Sequence, residues 1–497
     1  MNKLLENLKE ESTHAVTANG GATYNTTKNA VADLFALGGA YRQRTDEDCI
    51  LLFKKAFAED STLAMRCLFY LRDIRGGQGE RRYFKVVMRW LAQTYPDFVE
   101  RNFNFIPIMG RWDDFYCFVG TPLEKRAFAF MYKQLALDVQ SKTPSLLAKW
   151  LKSCNTSSAE SRKLGEKTRA AFRMTAKQYR KTLFVLRERL NIVERLMSAG
   201  HWELIEWDKI PSRAGFIYRN AFARHDLEQK YEEFIKSSDT KVNADTLYPC
   251  DIVHQALNCY EKMNNLNRIT INKYWDNLRD YFQNAIFDGI AVVDTSGSMT
   301  VGSGILPIDV AISLGIYCAE KCNKNSPFYD HYISFSAIAK LVPVEGVDFV
   351  DKVQRIQNNC IVENTNIQSV FDLILNTAKK NHLAQKDLPN NVVIISDMEF
   401  DKATCERWYW NSKYYNVKYS SDMEAIAQQF MRAGYKCPNL VFWNVNAAND
   451  TIPMKMENGI TFVSGNSPVT FEMLMSGKTA WDLIIEKLNS DRYKDIY

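Results

Sequence analysis

The residues best equipped for chemistry form the run Asp294-Thr295-Ser296-Gly297-Ser298. It follows a short apolar stretch, Ile290-Ala291-Val292-Val293. Asp294, Ser296 and Ser298 alternate, so a loop curling at Gly297 can aim three oxygens at one point. Two more oxygens stand at comparable places further on. Thr365 lies in Glu363-Asn364-Thr365-Asn366, ahead of a helical pattern, and Asp397 closes the run that contains Val392-Val393-Ile394-Ile395. Five hard oxygens on three loops suit Mg2+ or another divalent cation, with water or a partner's carboxylate completing the octahedron. The plainer alternative is a Ser/Asp-rich turn that satisfies its own backbone. No His or Cys ligand and no general base accompanies these residues, so binding rather than metal catalysis is expected.

Other catalytic patterns are missing from the sequence. The six histidines are far apart, no Ser-His-Asp order can be defended, and no GxSxG occurs. A nuclease or hydrolase would need clustered carboxylates with a base, so a non-enzymatic role is expected. The 11 cysteines include no CxxC pair. Cys318 and Cys322 sit on an apolar helical pattern and read as buried thiols rather than a zinc site. An odd count without framework spacing fits a reducing cytosol, hence a cytoplasmic protein.

The second candidate is electrostatic. The net charge of +5 conceals 44 Lys+Arg against 34 Asp+Glu in residues 1–286, and 19 against 24 in residues 287–497. Residues 141–195 alone hold 14 basic and 4 acidic side chains. Within them Arg162, Lys163, Lys167, Arg169, Arg173, Lys177, Arg180 and Lys181 recur at helical spacings, continuing to Arg187 and Arg189. On one continuous helix, residues 169, 173, 177 and 180 or 181 would share a face, a footprint for phosphates. Tyr179 beside it could stack on a base. The alternative is a solvated face, or one that meets acidic neighbours.

Three further stretches combine charge with glycine or aromatic residues. Arg72-Asp73-Ile74-Arg75-Gly76-Gly77-Gln78-Gly79-Glu80-Arg81-Arg82 is not a P-loop, because no GK[ST] follows and no strand precedes it. A turn between helices, with Asp73 and the arginines paired internally, is favoured over a phosphate nest. Arg111-Trp112-Asp113-Asp114 reads as a helix start, with Arg111 over Trp112. The aromatic run from Arg407 to Tyr415 is assigned to packing over base stacking.

These residues must be positioned by two kinds of element. Residues 1–286 read as helix after helix, with apolar spacings of three and four broken by Gly and Pro. From 287 to 497, short apolar runs alternate with helical patterns, as in a doubly wound parallel sheet. Ligands in such sheets sit beyond the carboxyl ends of the strands. The expected fold is α plus α/β: helical hairpins in a HEAT-like array at 1–286, then the sheet domain at 287–497. No run of about 18 apolar residues predicts a membrane span, and the first residues do not read as a signal peptide.

The DxSxS run, the later Thr365 and the strand-end Asp397 resemble the metal-ion-dependent adhesion site of von Willebrand factor A domains. The resemblance implies Ser296, Ser298 and Thr365 as direct ligands, and Asp294 and Asp397 as direct or water-mediated ones. One departure is Glu363-Asn364, where a glycine pair often precedes the threonine. Beyond this site, NGGATYNTTKNAVADLFALGGAYR, FYLRDIRGGQGERRYF, IPIMGRWDDFYCFVG and VNADTLYPCDIV resemble the TROVE-like DUF2828 proteins, relatives of the Ro ribonucleoprotein. DTSGSM, LVFWNVN and FVSGNSP extend the likeness over roughly residues 15–490. It implies a ring or horseshoe of helical repeats closed by the A domain. In the Ro branch the basic surface binds small structured RNA and the central hole takes single-stranded ends. The expectation is therefore a Ro-like RNA-binding protein whose metal site meets a protein partner. The rival expectation is a protein-interaction scaffold without RNA.

Overall fold

The computed structural model describes every residue except 1–2, 259–263, 361, 404–420 and 475–477. The aromatic run at 407–415 therefore lies outside the described residues. The chain forms two compact units: residues 1–67 with 247–490, and residues 68–246 with 491–497. This differs from a division at 286/287, which would place 1–67 and 247–286 with the helical array. The physical reason is visible in the helix Ala30–Leu37, of which every residue from Val31 to Leu37 is buried. A helix apolar all round needs cover on all sides. This one finds it on the sheet, where Ser464 Oγ donates to the Phe35 carbonyl at 2.9 Å.

The first unit carries a hairpin, β1 (His14–Val16) with β2 (Ala22–Tyr24), and a six-stranded sheet. The sheet strands are β3 (Gly289–Asp294), β4 (His331–Phe335), β5 (Ala339–Pro343), β6 (Asn391–Ser396), β7 (Asn439–Asn444) and β8 (Ile460–Ser464). Their order is β5-β4-β3-β6-β7-β8, and all neighbours are parallel except β4 with β5. Five of the strands fall on the apolar runs read from sequence. The antiparallel edge strand β5 was not among them, because Ala339–Pro343 is largely exposed and is not a continuous apolar run. The order reverses between β3 and β6, which makes the crevice above their carboxyl ends the topological switch point. Every residue of β3 is buried, as expected for a central strand covered on both faces.

The second unit is helical. Its longer helices are Arg81–Thr94, Glu124–Gln140, Ala159–Ala171, Ala176–Arg189 and Ser212–Arg224. Two polar knots fix it. The buried Asp73 carboxylate accepts from the Arg492 guanidinium and, at 2.8 Å, from the Tyr493 hydroxyl. The buried Arg72 pairs with buried Asp114 at 2.7 Å, and Arg81 reaches Asp113 and Asp114. The glycine-rich turn and the Arg111-Trp112-Asp113-Asp114 run thus interlock. Gly77 allows the turn, since a Cβ there would lie 1.9 Å from the Tyr70 carbonyl oxygen. Asp73 pairs with the C-terminal Arg492 instead of the arginines of its own turn. Arg111 lies 4.3 Å over the ring of Trp150, not over Trp112, which stacks on Phe115.

Among the described residues no helix is long and apolar enough to cross a membrane. Cys318 and Cys322 are both buried free thiols.

Candidate metal centre and candidate nucleic-acid cleft

The β3–β6 pairing brings the first two acids together. Val293 lies opposite Ile395, so Asp294 ends its strand beside Ser396 and the chain then delivers Asp397. Asp294 Oδ1 accepts from the Ser296 N–H at 2.9 Å, and Oδ2 accepts from the Ser396 hydroxyl at 2.5 Å. The Ser296 and Ser298 hydroxyls are 3.3 Å apart, and the Ser298 hydroxyl bonds to Asp397. The third loop is joined by the Gly297 N–H, which donates to the Glu363 carbonyl at 3.1 Å. Two residues later, the Thr365 carbonyl accepts from the Asp401 N–H at 2.9 Å, tying Thr365 to the loop after Asp397. Asp294, Ser296, Thr365 and Asp397 are all buried, and Ser298 is half-buried.

Both carboxyls are held above the usual carboxylate range. Burial is the main cause at each, and for Asp294 the neighbouring charge of Asp397 adds to it. Hydroxyls and backbone N–H groups face them, and among the described residues no Lys or Arg pairs with either. The described residues also hold no group of three or more His, Cys, Asp or Glu side chains of the kind that gathers a metal. The five oxygens singled out from the sequence are two carboxylates and three hydroxyls, a kind of donor suited to hard divalent cations; hydrogen bonds link those of Asp294, Ser296, Ser298 and Asp397 into one neighbourhood, and Thr365 is tied to it through its backbone. Glu399, which sequence reasoning passed over, is a third buried acid beside this loop. Its carboxylate accepts from Asn449 at 3.1 Å and from the Ala18 N–H at 2.6 Å.

In the helical unit a cleft of about 1500 Å³ opens on the exposed face of the helix Ala176–Arg189. Lys177, Arg180, Phe184 and Arg187 line it at successive turns, with Arg111, Lys149, Trp150, Arg195 and Arg213 contributed by other segments. Seven basic side chains face it against two acidic ones, Glu166 and Glu194. Arg187 is set by carbonyls: Nε donates to Ala148 at 2.9 Å and Nη2 to Leu151 at 2.8 Å. Phe184 is 56% exposed, enough for an aromatic face to be offered, and the Arg195 guanidinium lies 4.8 Å from its ring. Cations around one exposed ring, Phe184, are the kinds of group that meet the phosphates and base faces of single-stranded nucleic acid.

Residues 17–111 and 136–283 match the family described as domain of unknown function DUF2828. Over those residues the chain is similar to the DUF2828 family. Residues 288–495 match a second family, domain of unknown function DUF7788. An uncharacterized protein of Acanthamoeba polyphaga mimivirus is 29% identical, over 93% of this chain and 84% of its own. The crystal structure of the Ro (RSR) protein of Deinococcus radiodurans aligns at 12% identity and a TM-score of 0.40, over 94% of this chain and 100% of that one.

The DUF2828 region redistributes the expected basic stripe. The helix is not continuous. It stops at Ala171, Arg173 takes a left-handed φ of +54°, and Thr175 caps a new helix. Of the eight candidate residues, Lys177 and Arg180 line the cleft. Lys167 pairs with Glu124 at 3.2 Å, and Arg169 pairs with Glu166 at 2.7 Å. Arg162 donates to the Thr156 carbonyl at 3.3 Å, while Lys163, Arg173 and Lys181 are exposed. Tyr179 is buried, its hydroxyl donating to the Lys152 carbonyl at 2.9 Å, so its ring is not open for stacking. Phe184 is the ring in that position. Its sequence signal is a large aromatic one turn after Arg180 on the basic face.

Proposed function

We propose that this DUF2828-like protein binds RNA, taking single-stranded segments into the basic cleft of its helical unit, and that its role is binding rather than catalysis. The observation that carries this reading is the cleft wall of Lys177, Arg180, Phe184 and Arg187, cation and ring on one helix face. Its volume of about 1500 Å³ exceeds the pocket of a typical small ligand, about 300–1,000 Å³. The resemblance of the helical phrases to the Ro relatives supports the same ligand class. Fluorescence anisotropy with a labelled single-stranded RNA oligomer tests it. Lys177→Glu with Arg180→Glu is expected to lower affinity and flatten the salt dependence by about two units of slope. Equal loss from Arg162→Glu with Lys163→Glu would mark a diffuse charge effect. No binding by the unaltered protein would favour the protein-only scaffold.

The α/β unit on this reading holds Mg2+ or a similar cation among Asp294, Ser296, Ser298, Thr365 and Asp397, as in von Willebrand A domains. The cation would offset the two buried carboxylates and, through a remaining coordination position, attract a carboxylate of a partner protein. Calorimetric titration with Mg2+, repeated on Asp397→Asn, tests this part.

A further inference from the structure

One wall of the cleft is built around an indole. Lys149 and Trp150 end a short helix, Leu147–Trp150, whose first two residues are buried. Arg187 fixes the chain on both sides of them: besides the Ala148 and Leu151 carbonyls, its guanidinium reaches the Ser153 hydroxyl through Nη1 at 3.1 Å. Two cations then lie close to the Trp150 ring. The Arg111 guanidinium is 4.3 Å from the ring centre and the Lys149 ammonium is 5.9 Å from it. Lys149 stands 3.4 Å from Glu194. Arg111 is less well matched. Its Nε lies 3.3 Å from Asp113 without a hydrogen bond, and that carboxylate is already bonded to Arg81. The two terminal nitrogens of Arg111 have no hydrogen bond among the described residues and are not buried. Burial pushes the Arg111 pKa below the ordinary arginine range by more than Asp113 restores.

We infer that Arg111, stacked on Trp150 beside Lys149, forms a phosphate-binding subsite of the cleft. The inference deepens the RNA reading above and rests on it. A guanidinium holds its donors in one plane, and two parallel N–H groups match two oxygens of a phosphate. Stacking on the indole fixes that plane and leaves the N–H groups at its edge free. Lys149 adds a second positive charge near the same ring. Two cations set this close repel each other, and an anion held by both removes that cost. Arg187 differs from Arg111 in having its donors spent on the chain, so it is a positioning residue for the platform. A phosphate contact carries no base information, so the subsite sets where the strand lies and not which sequence it has. RNA offers the same oxygens from two sources, a terminal monoester and an internal diester.

The test uses the full chain and labelled single-stranded oligouridine, with anisotropy at several salt concentrations, on the unaltered protein, Arg111→Lys, Arg111→Gln and Lys149→Gln. Arg111→Lys keeps the charge and loses the fork. Its affinity is expected to fall about tenfold, the worth of one charge-assisted hydrogen bond, with the salt slope unchanged. Arg111→Gln should fall further and lower the slope by about 0.7. Lys149→Gln leaves the Asp113 contact intact, guards against a misfolded Arg111 variant, and should lower the slope by a similar amount. Oligoadenosine should give the same ratios. Unlabelled competitors with a phosphate at the 5′ end, at the 3′ end or at neither identify the source. An advantage of one phosphorylated end that Arg111→Lys abolishes assigns the monoester, and equal losses on all three assign the diester. If Arg111→Lys binds as the unaltered protein does, or if neither Gln variant changes the slope, the subsite is overturned. The cleft still stands in that case if Lys177→Glu with Arg180→Glu loses affinity. If the unaltered protein binds no RNA, both readings fall.

Discussion

Two pairs of buried acids, one in each unit, are treated in opposite ways. In the helical unit Asp73 is met by Arg492, and Asp114 by Arg72, Arg81 and Lys85. Burial alone would raise Asp114, but the charges of Arg72 and Lys85 outweigh it and hold the carboxyl below its ordinary range. In the α/β unit Asp294 and Asp397 meet hydroxyls, backbone N–H groups and each other, and both carboxyls are held high. A buried acid that the chain neutralises itself is architecture. On the proposed reading, a buried pair left with like charge and oxygen neighbours is a place for a cation from outside.

The largest effect should come from breaking the architectural pair. Arg72→Met leaves Asp114 buried beside only the more distant Arg81 and Lys85, and is expected to cost about 3 kcal/mol in urea unfolding. A loss below about 1 kcal/mol would show that those two neighbours suffice. The same pair sets the acid limb. The Asp114 pKa is lower folded than unfolded, so its contribution is present above the ordinary carboxylate range and lost as pH falls through the folded value. Unfolding of the helical unit should therefore steepen below about pH 4, and Asp114→Asn should flatten that limb.

Next in size is the cleft. Phe184→Ala is expected to weaken single-stranded RNA binding by about 1–3 kcal/mol, the range for loss of one stacked base. Tyr179→Phe, which removes only a hydroxyl bonded to the Lys152 carbonyl, should leave RNA affinity unchanged. Comparable losses from both would show a cleft disturbed in shape rather than one stacking ring removed.

The smallest effect sharpens the contrast by its sign. In cation-free buffer Asp294→Asn removes one of two like charges, and is expected to stabilise the protein by about 1 kcal/mol. Asp114→Asn should destabilise it. Destabilisation by both would mean that the two acid pairs are the same kind of structure.

The sequence told more about the α/β unit than about the helical one, for reasons seen in particular residues. Strands β3 and β6 are continuous apolar runs followed by an acid, so period and motif coincide and Asp294 and Asp397 could be set at neighbouring strand ends from short stretches. Lys177 and Arg180 were legible as basic residues on a helix, but the break at Arg173 was not, because Arg173 carries no Gly or Pro signal. The far wall of the cleft, Arg111 and Trp150, comes from segments distant in sequence, and no local pattern announces that pairing.

Thermal unfolding of the full chain in chelator and in excess Mg2+, beside the same pair of curves for Asp294→Asn, bears most directly on the Asp294 and Asp397 pair. The expectation is a rise in the unaltered protein, approaching about 2.7 kcal/mol when Mg2+ reaches a hundredfold excess over its Kd, and none in Asp294→Asn. Superimposable curves for the unaltered protein with and without Mg2+ would contradict it.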